Sequence, residues 1–449
     1  MTERFRQHSI RAILDGYRSG SIAPTDVAQW AIAEWEKREP SLYAWECFEP
    51  QRLLDAARAS QVRLAQGEPI RALEGIPVGV KDIFNTAEFP TQMGSPLWKG
   101  FTPGNDARVL YDIQRAGGLV PGKTVTAEFA VHALGKTINP HAADRTPGTS
   151  SSGSAVAVAS GMVPVALGTQ TAGSIVRPAS FCGIWGCKPS FGLLPRTGML
   201  KTTDSLDSVG YFVAHALDLQ PVFESMRVRG RNFPISHGAL TDEARQAVPM
   251  GRPWRVAFIR PHVWKHAAPY AVAAIEEWCK RLTAAGCDVT EPALPAGLEE
   301  SHDVHATIYN RALAYYFQEE FKKAELISPV MNELIEIGRD IPNEAYVAAL
   351  DRQTALARAM DGFFADVDII VTLSTAGEAP LRHEDEPPDS ALLWTLTYLP
   401  VVSAPVFRSP SGLPFGLQLV ARRYNDPLLM RFIDSLVARG LLPEGSMYA

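Results

Sequence analysis

The residues whose types and order could do chemistry lie between Arg145 and Gly198. The run Gly148-Thr149-Ser150-Ser151-Ser152-Gly153-Ser154 is a hydroxyl-loaded turn feeding the small-residue stretch AVAVAS at 155–160. Backbone N–H groups and hydroxyls gathered at a helix start stabilise negative charge. MVPVALGT (162–169) then reads as a strand that delivers the loop QTAGS (170–174). Small residues in series let consecutive N–H groups converge beside a serine, which is what an oxyanion of acyl transfer requires. A flexible Gly/Ser linker or a phosphate cradle would use similar residues. The flanks VALGT and SFCGIWG are too apolar for a linker.

Several elements must position this segment. Ile76–Val80 (IPVGV) is a short apolar run, read as a buried strand that ends in the polar pair Lys81-Asp82. Lys81 there has two readings. Burial would depress its pKa and make it a base, or it is a surface cation paired with Asp82. Residues 25–37 read as an amphipathic helix capped by Thr25 or Asp26, with Val27, Trp30, Ala31 and Trp35 in one stripe. From Asp106, DARVLYDIQRAGG gives a helix closed by Gly117, and LVPGKT follows as a strand. A helix-rich stretch runs from about 299 to 363. Strand candidates follow at Val367–Thr372 and Leu413–Ala421. This alternation predicts an α/β fold. The stretch from Asn232 to Arg252 lacks a period and reads as a connecting loop. The acidic HEDEPPDS (His383–Ser390) reads as a solvated surface loop.

GGLVPGKT (Gly117–Thr124) satisfies the phosphate-loop pattern G-x-x-x-x-G-K-T literally. That chemistry needs a strand before the glycines and a helix after them. Here the order is reversed, so a helix cap and tight turn is the better reading. The chain is 46% hydrophobic and 20% charged over 449 residues, enough for a large globular core. A formal charge of −6 gives no reason to expect a nucleic acid or an anionic membrane as partner. Five scattered cysteines without a C-x-x-C pair suggest reduced thiols in a cytoplasmic protein rather than a disulfide framework or zinc. No apolar leader or membrane-spanning run is visible, and a homodimer is compatible with everything above.

The segment 145–198 resembles the signature of the amidase signature family: a GGSS(G/S)GS turn, then GTD-x-GGS-x-R-x-P, then CG-x-x-GxKP. GIPVGVKDIFNTA (75–87), NDARVLYDIQRAGGLVPGKTVTAEFA (105–130) and SGLPFGLQLVARR (411–423) are similar to its other blocks. The resemblance covers nearly the whole chain, read as one domain over 1–449, and is weakest in a helix-rich lobe at about 225–360. It implies a large mixed β-sheet flanked by helices on both faces, no cofactor, no metal, and a small-molecule amide as substrate. Position by position, it implies Ser174 as nucleophile, Ser150 as bridging serine and Lys81 as base. The amides of Thr171, Ala172, Gly173 and Ser174 become the oxyanion hole. It also implies a cis peptide before Ser150.

A serine hydroxyl is a poor nucleophile until a base activates it, and a lysine serves only when neutral. A bridging hydroxyl both donates and accepts, so it can carry the proton toward Lys81 and return one to the departing amine. The sequence departs from the family pattern in four places. Thr149 stands for glycine, where a cis bond would cost about 3–4 kcal/mol at a stiff β-branched residue. Ala172 also stands for glycine, and Gln170 for the common Asp. Arg177 follows the nucleophile by three residues instead of two. That spacing resembles the malonamidase-like subset (GTQT-x-GS-x-x-RP) and implies that Arg177 meets a substrate carboxylate, as in a half-amide of a small dicarboxylic acid. The competing role for Arg177 is structural. At the level of the whole chain, the alternatives are an amidotransferase subunit that supplies ammonia to a partner and a silent binding subunit on the same fold.

Overall fold

The apolar runs become one sheet. The computed structural model describes residues 4–447. Its strands are β1 (Trp45–Phe48), β2 (Val78–Lys81), β3 (Gly122–Thr124), β4 (Val165–Gln170), β5 (Trp185–Lys188), β6 (Ser208–Val213), β7 (Arg255–Phe258), β8 (Asp288–Thr290), β9 (Ile369–Leu373), β10 (Val401–Arg408) and β11 (Pro414–Ala421). Together they form an 11-stranded sheet in the order β1-β3-β2-β4-β6-β5-β10-β11-β9-β7-β8. β3, β2 and β4 run parallel, as do β9, β7 and β8, and the strands between them pair antiparallel. The sheet is mixed, as expected. Every residue of β2, β4, β5, β6, β9 and β11 is buried. Strands covered on both faces need continuous apolar or small residues, which explains VGV, VALG and PFGLQLVA.

The expected helices form with shifted limits. The first runs Pro24–Leu42, and its N-cap is Ala23 rather than Thr25 or Asp26. Asp26 acts one turn later, its carboxylate accepting the Ala23 N–H at 2.8 Å. Residues 232–252 are not a plain loop, because Pro234–Thr241 and Glu243–Gln246 are short helices. The helix-rich stretch resolves into Ser301–Tyr316, Pro329–Asp340 and Asn343–Phe363. Among the described residues, no helix is long and apolar enough to cross a membrane.

GGLVPGKT joins the helix Arg108–Arg115 to β3, so the helix precedes the glycines and a strand follows. Lys123 is buried. It donates to Phe84 O (2.8 Å), Thr91 Oγ1 (2.9 Å) and Pro90 O (3.1 Å) and pairs with Asp82 at 3.1 Å. Its donors are spent inside the fold.

The helix Ser152–Ala159 is buried at all eight residues and packs on β2, β3, β4 and β6. Its small side chains allow that approach, and Gly153 makes the closest one. A Cβ there would lie 2.3 Å from Val125 N and 2.4 Å from Ala44 O, both main chain. Gly153→Ala should therefore destabilise the fold by about 1–3 kcal/mol or more, read as a lower urea midpoint. A loss below about 0.5 kcal/mol would show that the helix can shift away at no cost.

Candidate active site

β2 and β4 lie side by side with Val80 level with Leu167. Lys81, the last residue of β2, therefore comes beside the end of β4, and its side chain is fully buried. Three hydroxyls surround the amine: Ser150 Oγ at 2.6 Å, Thr169 Oγ1 at 2.8 Å and Ser151 Oγ at 3.0 Å. Burial drives its pKa well below the ordinary lysine value, and the negative charge on Asp207 offsets only part of this. The reading of Lys81 as a surface cation paired with Asp82 is overturned, since Asp82 pairs with Lys123 instead. Ser150 is held through its carbonyl, which accepts Thr126 Oγ1 (3.1 Å) and Ala127 N (3.3 Å). No described peptide bond is cis. The implied cis bond before Ser150 is thus corrected to trans, in keeping with the cost of a cis bond at a β-branched residue.

The loop from Gln170 to Arg177 is held by its carbonyls. Thr171 O accepts His305 Nε2 at 2.9 Å, Ala172 O accepts Thr395 Oγ1 at 2.7 Å, and Gly173 O accepts Arg177 N at 2.8 Å. Gln170 closes the turn from within: its Oε1 accepts Ile175 N (2.9 Å) and Val176 N (3.0 Å), while its Nε2 donates to Thr395 Oγ1 (2.9 Å). Thr171 Oγ1 donates to Asp207 at 2.8 Å. With the carbonyls tied down, the amides of Ala172, Gly173 and Ser174 find no acceptor among the described turns and loops. Ser174 is half-buried, and no side-chain hydrogen bond joins its hydroxyl to Ser150 or to another described group.

Arg177 is paired with two carboxylates. Nη1 pairs with Glu386 at 2.6 Å and Nε with Asp389 at 2.8 Å. Burial opposes its charge, but Asp389 and Glu386 outweigh that and raise its pKa. These carboxylates belong to HEDEPPDS, so that segment is no simple solvated loop. His383–Asp385 are exposed, Glu386 is half-buried and Asp389 is buried. Thr149, the departure from glycine, donates to the other Glu386 oxygen at 2.8 Å.

A cavity of about 780 Å³ opens beside this constellation, and Thr149, Ala172, Arg177, His132, His302 and Tyr309 are among its lining residues. Burial lowers the pKa of His132 and His302 and pushes His305 down to about 4. His305 is a neutral donor to the loop carbonyl at ordinary pH.

The family profile described as Amidase matches residues 26–430. The chain belongs to the amidase family. This amidase is 30% identical over 455 residues to a glutamyl-tRNA(Gln) amidotransferase subunit from Chloroflexus aggregans, with 93% of each chain covered. A solved structure described as a crystal structure of amidase superposes with a TM-score of 0.82 and 25% identity, over 95% of this chain and 99% of that one. A chain of the inhibitor-bound vestigial protein complex that revealed the evolutionary origins of an s-triazine catabolic enzyme gives 0.86 and 25%, over 97% and 100%. The protein is an enzyme that hydrolyses amide C–N bonds.

Sequence reading missed Ser151, Thr169, His305, Thr395, Asp207, Glu386 and Asp389. Ser151 was visible as the second of three consecutive serines. Most of the others come from distant chain positions, and no local pattern marks them.

Lys81 titrates at about 10.4 in the unfolded chain and well below that in the fold. Between those values the unfolded state holds one more proton, so stability rises with pH by up to about 1.4 kcal/mol per unit. The stability of wild type relative to Lys81→Met should therefore grow between pH 8 and 10 in urea titrations. A pH-independent difference would mean the buried amine is protonated.

Proposed function

We propose that Ser174 attacks the amide carbon while Ser150 takes the Ser174 proton and passes its own to Lys81. One observation carries this reading: a buried lysine with depressed pKa sits 2.6 Å from Ser150. A neutral amine can accept the proton, which a charged one cannot. As the tetrahedral adduct collapses, the proton returns through Ser150 to the departing nitrogen, and ammonia or an amine leaves. Water then attacks the acyl-enzyme by the same relay. The amides of Thr171, Ala172, Gly173 and Ser174 are assigned to the oxyanion. The absent Ser150–Ser174 hydrogen bond is no objection, because such contacts commonly tighten only around substrate.

The substrate is a small-molecule amide seated in the cavity at Ala172. The idea of a half-amide bound through Arg177 rested on its spacing after Ser174 and needs a guanidinium free to meet a substrate. Two carboxylates already answer that charge, and a substrate without an acyl-side carboxylate fits better. The relatives named as amidotransferase subunits favour a second reading, in which the chain feeds ammonia to a partner. The purified chain turning over small amides alone would decide for hydrolysis.

In that assay Ser174→Ala should lose more than about 99% of kcat, a barrier increase above ~2.7 kcal/mol, with the fold intact by circular dichroism. Ser150→Ala should lose more on an amide than on the matching ester, because only the amine leaving group requires a returned proton. Equal losses on both would remove Ser150 from the relay.

Arg177→Ala leaves Glu386 and Asp389 unpaired, so it should reduce kcat/KM on neutral and anionic amides by similar factors. Selective loss on a half-amide, by about 2 kcal/mol or more, would restore the carboxylate-binding role.

A further inference from the structure

Glu386 is the point where three chain segments meet. One carboxylate oxygen accepts the Thr149 hydroxyl at 2.8 Å and the other takes Arg177 Nη1 at 2.6 Å. Thr149 immediately precedes Ser150. Arg177 lies one helical turn past Ser174, its N–H bonded to Gly173 O at 2.8 Å. The two serine-bearing turns also touch directly, since a Cβ on Gly148 would fall 2.6 Å from Pro178 Cα. Ser151 Oγ adds a hydrogen bond to Thr169 O at 3.2 Å, at the start of the Ser174 loop. The Glu386 carboxylate is a further bridge, from Thr149 on one turn to Arg177 beyond the other.

The segment carrying Glu386 is itself secured. Arg382 donates to Thr137 O (2.6 Å) and Gly135 O (3.0 Å), and Asp389 holds Arg177 Nε and Ala391 N. Pro387 and Pro388 stand between the two carboxylates and stiffen that stretch.

We propose that Glu386 is a positioning residue, which holds the Ser150 turn and the Ser174 loop in the register that the proton relay needs. This rests on the relay proposed above. It explains why Thr149 and Arg177, both departures from the family pattern, occur together with an acidic segment more than 200 residues away. Misplacing a reacting group by about 1 Å can cost a hundredfold in rate.

The test measures kcat and KM per active site in the full-length enzyme, with sites titrated by a fluorophosphonate. The variants are Glu386→Ala, Glu386→Gln, Thr149→Val, Thr149→Ser and the double Thr149→Val/Glu386→Ala. Glu386→Ala should lower kcat per titrated site by about tenfold or more, with KM changed less than about threefold. The acidic limb of the pH profile should not move, because Lys81 is untouched. Thr149→Val should fall in the same direction, Thr149→Ser should stay near wild type, and the double variant should be no slower than Glu386→Ala. Glu386→Gln keeps an oxygen for Thr149 and should lie between wild type and Glu386→Ala. It also carries the test if Glu386→Ala fails to fold. A per-site kcat within twofold of wild type in the Glu386 variants would overturn the inference, as would strictly additive losses. Turnover surviving in Ser174→Ala would overturn the relay and this inference together. An inactive Ser174→Ala beside normal Glu386 variants would overturn the inference alone.

Discussion

An amine enclosed by three hydroxyls, with no carboxylate among the described residues paired to it, sets the terms for the rest of this molecule. Burial holds the Lys81 pKa down only while water and counter-charges are kept away. A carboxylate at hydrogen-bond distance would stabilise the ammonium by several kcal/mol and hold the proton there. The sequence places Asp82 next in the chain, so the fold must separate the two. β2 ends at Lys81 and the chain turns at Asp82, where Lys123 from β3 is there to take its carboxylate. The lysine that mimicked a phosphate-loop residue thus serves the site indirectly, by occupying the carboxylate that would spoil it. The exclusion of water falls to small residues. The helix Ser152–Ala159 lies close enough to the sheet to seal the amine because Gly153 and its alanine neighbours let it.

The second constraint concerns the polarity of the loop at Ser174. A tight turn of small residues carries N–H and C=O groups in equal number, and only one set can face the reacting oxygen. Here the carbonyls of Thr171, Ala172 and Gly173 are each committed to a named donor. That commitment fixes the peptide planes and turns the amides the other way. Gln170 is suited to the task because its amide both donates and accepts. It accepts two amides past the loop while donating to Thr395, which in turn holds Ala172 O. The neutrality of His305 matters for the same reason, since a protonated imidazole buried there would carry an unanswered charge.

The sheet was legible wherever burial on both faces forces an unbroken apolar run, as in β2, β4, β9 and β11. The ends of elements were less so. Lys81 proved to be the last strand residue rather than the first loop residue, because the distinction is made by its neighbours in space. The hydroxyl-loaded turn and the small-residue loop of the Gly/Ser segment were legible from local order alone. Its supports were not: His305 and Thr395 look like any histidine and threonine of a helix. The acidic run His383–Ser390 was misread for a general reason. A charge run is solvated unless something buried needs it, and the need lay in Arg177, some 210 residues earlier.

That pairing changes how selectivity must be understood in this amidase. A half-buried arginine beside the Ser174 loop invites the idea of an anionic substrate, but a charge already answered by two carboxylates offers little to a third. Displacing Glu386 or Asp389 would leave one of them desolvated and unpaired, at a cost of a few kcal/mol that a substrate carboxylate would first have to repay. The exposed Glu384 and Asp385 on the same segment add negative charge at the cavity rim and oppose an incoming anion further. The cavity walls also carry Tyr309 and imidazoles whose pKa burial lowers. Arg177 and Thr149 instead share one carboxylate, that of Glu386, which joins the turn at Ser150 to the helix that follows Ser174.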